Sequence, residues 1–347
     1  MTNSLYGVRS EDLESFFSAA FPAYRVRQLL GWIYKKTVFD PALMTDLAPD
    51  FKAALTDAFD LSLPAIAQKL VSADGSAKFR LTLADSAQIE MVLMPQDKKQ
   101  TLCVSTQVGC ARACSFCATG RMRKKRNLRA HEIVAQILLA LREADPPLTN
   151  LVFMGMGEPL DNLDNVLDAL ALIQHERTLA FSPRRTTVST CGIVPGIQRL
   201  ADTGVRVKLA VSLNAARNEI RDQLMPVNQK YPLPVLKNAL LYYQRHSPFR
   251  ITLEYILIPE LNMSNADLKA LRKFCGDLSC KINFIPFNPS PSLPFRAPTE
   301  PEVEEFMARA RELPQAVMLR RSKGSDISGA CGQLVAGAVN KSTGVSP

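Results

Sequence analysis

Apolar positions recur at helical spacing in three stretches near the start of the chain. Ser10-Glu-Asp opens the first, with an N-cap and acidic residues in the opening turn. Tyr24 to Lys36 places Val26, Leu29, Leu30 and Ile33 on one face, and a third helix spans Pro49 to Phe59. Between residues 66 and 95 the period changes. Ile66–Val71, Lys78–Leu83 and Gln88–Met94 alternate or are rich in β-formers, with Ala-Asp-Gly-Ser at 73–76 as a turn. From Thr101 strands and helices alternate. Strands are predicted at Leu102–Ser105, Asn150–Phe153, Thr186–Ser189, Arg206–Ser212, Ile251–Ile258 and Lys281–Ile285. The helices between them are Ala130–Glu143, Asn162–Ile173, Val194–Ala201, Leu233–Tyr243 and Asn265–Phe274; a helix at Glu302–Leu313 and a strand at Ala316–Leu319 end the run. Repeated βα units predict a parallel sheet with crossover helices, and a count below eight predicts an open partial barrel. The expected division is a helical module at 1–64, a β-hairpin connector at 65–100, an α/β partial barrel at 101–334 and a small, polar, frayed tail at 335–347.

Composition narrows the setting. With 47% hydrophobic and 22% charged residues, the chain is ordinary for a globular protein. No apolar run approaches the ~20 residues of a membrane span, and the N-terminus lacks an apolar signal region. A cytoplasmic protein with no membrane partner is expected. A net charge of +9 favours a polyanionic partner, although charge alone also suits a membrane surface or an acidic protein. Arg25, Arg27, Lys35 and Lys36 surround the apolar face of the second helix, as in an RNA-docking helix or a core helix with a solvated basic side. Trp32 reads as core rather than as a base-stacking ring.

The densest chemistry is Cys110-Ala-Arg-Ala-Cys114-Ser-Phe-Cys117. Three thiolates can hold three irons of a [4Fe–4S] cube, and because such clusters usually take four cysteines, one iron stays open for a ligand. A zinc knuckle is the alternative, but it needs a fourth Cys or His, and His131 lies beyond a basic run. Of the other cysteines, Cys191, Cys275 and Cys280 follow no ligand spacing and read as small core residues. By themselves Cys103 and Cys331 read the same way. Glu90, an acid in the apolar run Ile89–Pro95, reads as a residue on the solvated face of a strand.

C-x3-C-x2-C with an aromatic before the last Cys resembles the radical S-adenosyl-L-methionine (SAM) superfamily. Four further segments resemble one branch of it, the RlmN/Cfr adenosine methyltransferases of 23S ribosomal RNA. They are Phe153-Met-Gly-Met-Gly-Glu-Pro159, Ser182-Pro-Arg-Arg185, Lys281-Ile-Asn-Phe-Ile-Pro-Phe-Asn288 and Ala330-Cys-Gly-Gln-Leu334, in the family's order over about residues 20 to 335. The resemblance implies an open (βα)6-type radical-SAM barrel, a [4Fe–4S] cluster on Cys110, Cys114 and Cys117, and SAM chelating the open iron. It places Gly157, Glu158, Ser189, Ser212, Leu213, Asn214 and Asn288 around SAM. Asn214 departs from the family's common histidine and puts the strength of that contact in question.

The resemblance also reverses the reading of three residues. Cys331 matches the methyl-carrying cysteine, Cys103 its disulfide-forming partner, and Glu90 the proton-accepting carboxylate. The implied chemistry begins with a methyl group taken from one SAM by Cys331. A second SAM then yields a radical that activates this S-methyl group for addition to an electron-poor adenine carbon. Glu90 accepts a proton, and Cys103 attacks the Cys331 sulfur to release methyladenosine. Basic runs at Arg121–Arg129, Arg184–Arg185 and Arg320–Arg321–Lys323, expected at the active-site ends of strands, would meet phosphates. Glu158-Pro159-Leu160 resembles the branch that methylates C2 of adenosine in 23S rRNA, with transfer RNA as a second substrate and flavodoxin or ferredoxin as electron donor. The alternatives are C8 methylation conferring antibiotic resistance, a radical-SAM enzyme acting on a protein or small molecule, and a basic RNA-binding protein with structural iron.

Overall fold

The computed structural model describes residues 3–336. Ten strands form one sheet: β1 (Ala65–Val71), β2 (Ala77–Thr82), β3 (Gln88–Gln96), β4 (Lys99–Cys103), β5 (Leu148–Phe153), β6 (Thr186–Thr190), β7 (Lys208–Ser212), β8 (Ile251–Leu257), β9 (Cys280–Pro286) and β10 (Ala316–Leu319). They lie side by side in chain order. The pairs from β1 to β4 are antiparallel and those from β4 to β10 are parallel. The expected α/β open barrel is therefore present, with seven parallel strands and two free edges, β1 and β10. Covered on both faces, β8 (Ile-Thr-Leu-Glu-Tyr-Ile-Leu) is buried along its whole length, as parallel strands beneath helices are.

The hairpin is not a separate connector. Strand β4 pairs with β3 on one side and β5 on the other, so the boundary at 100/101 falls inside a strand of the common sheet. The N-terminal helices are Ser10–Phe17, Tyr24–Leu30 and Pro49–Ala58, and the second runs on into a π-helical turn, Gly31–Lys35. Arg9, not Ser10, is the first N-cap; Ser10 is inside the helix, with its hydroxyl on Glu11. Trp32 is only half-buried, with its indole N–H on Asp46 and the Lys36 ammonium 3.3 Å from the centre of its ring. No helix among the described residues is long and apolar enough to cross a membrane.

The gap between the two edges is bridged by residues 320–336, a strap that leaves β10 and crosses to the hairpin. Gly324 N–H donates to Asp74 (2.8 Å), the Ser72 hydroxyl to Asp326 (2.6 Å), and the Lys78 ammonium to the Ser328 carbonyl (3.2 Å). Lys323 reaches the Pro95 carbonyl. Val335 and Ala336, expected in the frayed tail, are packed: Ala336 is buried and Val335 N–H bonds to Glu90. The rest of that tail, 337–347, lies outside the described residues.

Candidate active site

A cavity of about 510 Å³ opens at the C-terminal ends of the parallel strands, where α/β folds place their ligands. The loop carrying Cys110, Cys114 and Cys117 forms one wall. It is held at its root by the short antiparallel pair Gln107–Val108 and Arg126–Asn127. Ser115 N–H donates to the Leu224 carbonyl (2.9 Å), and Ala118 N–H donates to the Gly332 carbonyl of the strap (2.7 Å). All three thiols line the cavity. Burial, with the neighbouring thiols adding to it, raises the pKa of Cys110 to about 11 and that of Cys114 well above the ordinary thiol value; burial also raises Cys117. Iron would reverse this by displacing the protons.

The donor set fits a [4Fe–4S] cluster. Three soft thiols face one space, and the loop holds no fourth Cys or His. Among the described residues no three His, Cys, Asp or Glu side chains converge on a point where one metal ion would sit. A cube differs from a lone zinc in that each thiolate binds a different iron.

Gly157 and Glu158 follow β5 on the same rim. Gly157 has φ +101°, and a Cβ there would lie 2.5 Å from the Gln107 side chain, so the fold itself demands glycine. The Glu158 carboxylate is buried, which raises its pKa, and accepts from Leu160 N–H (3.0 Å) and Cys191 N–H (2.8 Å). These bonds orient it while leaving lone pairs for a cationic ligand. Cys191, read from sequence as core, lines the cavity beside it.

Ser189, Ser212 and Asn214 also line the cavity. Asn214 has φ +58°, a left-handed conformation that asparagine tolerates well. Its side-chain oxygen accepts from Ile256 N–H (3.0 Å) and its amide nitrogen faces the Met225 sulfur at 3.4 Å.

Three of the expected site residues stand outside the cavity lining. Leu213 does not line the cavity: its side chain is fully buried, its N–H donates to the Glu254 carbonyl, and its own carbonyl accepts from Arg221. Asn288 lies outside the lining as well and donates to Ser322 Oγ (2.8 Å) and the Cys331 carbonyl (3.2 Å), tethering the strap. Glu90 is buried, against the solvated-face reading, but it sits behind the lining. Its carboxylate accepts from Val335 N–H (3.0 Å) and lies 3.4 Å from the Lys78 ammonium.

The opposite wall carries Cys103, on β4, and Cys331, on the strap. Both are free thiols. Burial raises the pKa of Cys103 to about 12, and the Cys331 thiol nearby adds to it. Cys331 is open to solvent within the concavity yet surrounded by protein, which raises it to about 11 against the pull of the Arg320 guanidinium. Gly332 (φ +83°) brings the strap close enough that a Cβ would lie 3.1 Å from the Phe116 carbonyl, between the last two cluster cysteines.

Sequence reasoning missed Glu254. It is buried on β8, pairs in register with Asn283 and accepts from its amide (3.1 Å). Its second oxygen has no hydrogen-bonding partner among the described residues. The signal was visible: an acid inside a mostly apolar strand, as with Glu90.

The basic runs separate. Arg320, Arg321 and Lys323 all line the cavity; Arg320 lies 4.0 Å from Glu254 and Arg321 is paired with Glu300. Arg184 and Arg185 precede β6 and so lie at the opposite end of the barrel from the cavity, not at the active-site end. Arg126 is held by Asp85 and Glu132, while Arg121, Arg123 and Lys125 are exposed without a carboxylate partner among the described residues.

The Radical SAM superfamily model matches residues 104–272, and the Ribosomal RNA large subunit methyltransferase N-terminal domain matches residues 3–61. The chain is 43% identical over 329 residues to the dual-specificity RNA methyltransferase RlmN of Geobacter sulfurreducens, covering 94% of this chain and 91% of that one. It is 45% identical over 312 residues to the protein of the same name from Syntrophotalea carbinolica, covering 90% and 83%. A crystal structure of a radical SAM methyltransferase from Sphaerobacter thermophilus superposes with TM-score 0.92 at 39% identity, over 96% of this chain and 99% of that one. A family whose members use SAM and a [4Fe–4S] cluster thus matches the three-thiol loop, the rim above the parallel strands and nearly the whole length of the chain, which belongs to the radical-SAM RNA methyltransferases of the RlmN family.

Proposed function

We propose that this enzyme methylates a ring carbon of adenine, C2 of an adenosine in 23S rRNA, through a methyl group carried on Cys331. One observation carries the reading: Cys103 and Cys331 line the same cavity as Cys110, Cys114 and Cys117. The match of the N-terminal module to a domain of large-subunit rRNA methyltransferases supports ribosomal RNA as substrate and residues 1–64 as its docking element. The dual specificity in the relatives' names supports a second class of RNA, for which transfer RNA is the expectation.

Cys110, Cys114 and Cys117 are the proposed cluster ligands, with Glu158 oriented to receive the ammonium of SAM and Ser189, Ser212 and Asn214 along its length. When bound, the cluster and SAM supply one-electron chemistry able to activate an unreactive methyl C–H bond. The chain's own groups do the rest. The Cys331 sulfur takes the methyl group by displacement and holds it toward the open cavity. Once that carbon is joined to adenine, the Cys103 thiolate attacks the Cys331 sulfur. An S–S bond forms as the S–C bond breaks; the bonding pair stays with the carbon, which takes up a proton and leaves as the methyl group of methyladenosine, and a thiol reductant then returns the disulfide to two thiols. Glu90 takes the proton from the adenine carbon, which requires it to exchange its bond to Val335 N–H. A protein electron donor such as flavodoxin or ferredoxin completes the cycle.

The test is Cys103→Ala with labelled RNA on denaturing electrophoresis. A nuclease-resistant adduct on the Cys331 peptide is expected. Normal turnover without an adduct would remove Cys103 from the release step.

A further inference from the structure

Arg221 is fully buried and lies behind the cluster loop, outside the cavity. Its guanidinium donates only to neutral acceptors: the Cys191 carbonyl (2.7 Å), Asn228 Oδ1 (2.9 Å), the Leu213 carbonyl (3.1 Å) and the Ser212 carbonyl (3.4 Å). Among the described residues no carboxylate hydrogen-bonds to it: Asp222, the next residue on the same helix, acts on it only through space and accepts from the Asn228 amide (2.7 Å), while the Cys114 and Cys191 thiols are its other neighbours able to carry negative charge. Burial lowers its pKa only to about 10, so it stays a cation at neutral pH. An unpaired buried charge costs several kcal/mol (roughly 3–5 when a partner is removed), and folded proteins do not keep one without an anion nearby.

Beyond Asp222, the negative charge it faces belongs to the neighbouring wall, where Cys114 acts on it. The helix Asn218–Leu224 that carries Arg221 ends on Leu224, whose carbonyl accepts Ser115 N–H from between Cys114 and Cys117. The Cys191 backbone joins the two from the other side, since its carbonyl takes the Arg221 bond and its N–H the Glu158 bond. With a cluster bound, three thiolates outweigh the positive charge of the cube's core, and each added electron makes the assembly more negative.

We propose that Arg221 is the built-in counter-ion of the cluster: a positioning residue that sets the reduction potential without touching SAM or RNA. A fixed cation in a low-dielectric interior favours the more negative, reduced state over the oxidised one and so raises the potential. Three of these hydrogen bonds, to the Cys191, Ser212 and Leu213 carbonyls, tie together the ends of β6 and β7, so the charge is anchored to the rim proposed to receive SAM. This inference rests on Cys110, Cys114 and Cys117 being the cluster ligands.

The experiment is a redox titration, followed by electron paramagnetic resonance, of the reconstituted full chain carrying Arg221→Gln, Arg221→Lys or Asn228→Asp. Asn228→Asp is made together with Asp222→Asn, because the Asn228 amide donates to Asp222 (2.7 Å) and the exchange keeps a donor in that pair; it sets a carboxylate against the guanidinium and covers the case in which Arg221→Gln does not fold. Loss or neutralisation of the charge is expected to weaken reduction about tenfold, about 59 mV for a one-electron couple. Arg221→Lys should stay nearer the wild-type potential than Arg221→Gln. A wild-type potential in loaded Asn228→Asp, or one equal in the Lys and Gln variants, would leave Arg221 a purely structural residue. Failure of the wild-type chain to take up a cluster would count instead against the three-cysteine assignment.

Discussion

The two walls of the cavity are built in opposite ways. The cluster loop is local: its three thiols lie within eight residues, and the strand pair that holds it, 107–108 with 126–127, closes around it within about twenty. The thiol wall is assembled from β4 and from a strap more than two hundred residues later, held by polar contacts at Ser72, Asp74, Lys78 and Pro95. The cluster loop keeps its own strand pair when the strap opens, losing only the bonds of Ala118 and Thr119 to it. The thiol wall exists only while the strap spans the open side of the barrel. Cluster chemistry and methyl transfer should therefore be separable by mutation.

The sharpest break is at the thiols themselves. Cys110→Ala, Cys114→Ala or Cys117→Ala should abolish iron binding and SAM cleavage together, measured by iron analysis and release of 5′-deoxyadenosine. Cys331→Ala should abolish methylation and keep both. Equal loss of iron in all four variants would make the two walls one unit.

A smaller effect is expected where the walls meet. Gly332→Ala forces a side chain into left-handed backbone against the Phe116 carbonyl. This costs strap closure about 1–2 kcal/mol, roughly a five- to thirtyfold drop in the closed population. Methylation should fall while iron content holds, and hydrogen exchange in 321–334 should quicken. Unchanged exchange would show that the strap closes without this glycine.

Asn214 tests the rim between the walls. Asn214→Ala leaves the Ile256 N–H without its side-chain acceptor, a loss of about 1–3 kcal/mol in stability by urea unfolding. SAM affinity falls as well if the side chain also touches SAM. Unaltered affinity with reduced stability would confine Asn214 to the fold.

The smallest effect belongs outside the cavity. Neutralising Arg123, Lys124 and Lys125 should reduce the slope of log affinity against log salt by about 0.7–0.9 for each phosphate that these side chains neutralise in the complex. An identical slope would return this run to solvated surface.

Legibility followed the same division. The three cysteines and the alternating βα pattern were readable because both are short-range: ligand spacing within a loop, and burial of strands between helices. Resemblance alone singled out Cys103 and Cys331, since nothing in their neighbouring residues marks two thiols that meet across the barrel. Glu90 shows why the alternation rule failed. Both faces of β3 are covered, one by the strap, so its acid is buried with a lysine and a backbone N–H rather than solvated.

Sequence by itself determined the open α/β barrel, the cluster loop and the cationic character of the protein, because periodicity, spacing and composition act locally or as sums. Tertiary structure alone decided that the hairpin extends the same sheet and that Arg184 and Arg185 lie at the far end of the barrel. It also put the Leu213 side chain and Asn288 outside the cavity lining and left Arg221 buried with no carboxylate hydrogen-bonded to it among the described residues. Each of these depends on which distant segments a residue meets, and such meetings are set by strand order and by how the strap closes the sheet's open edge.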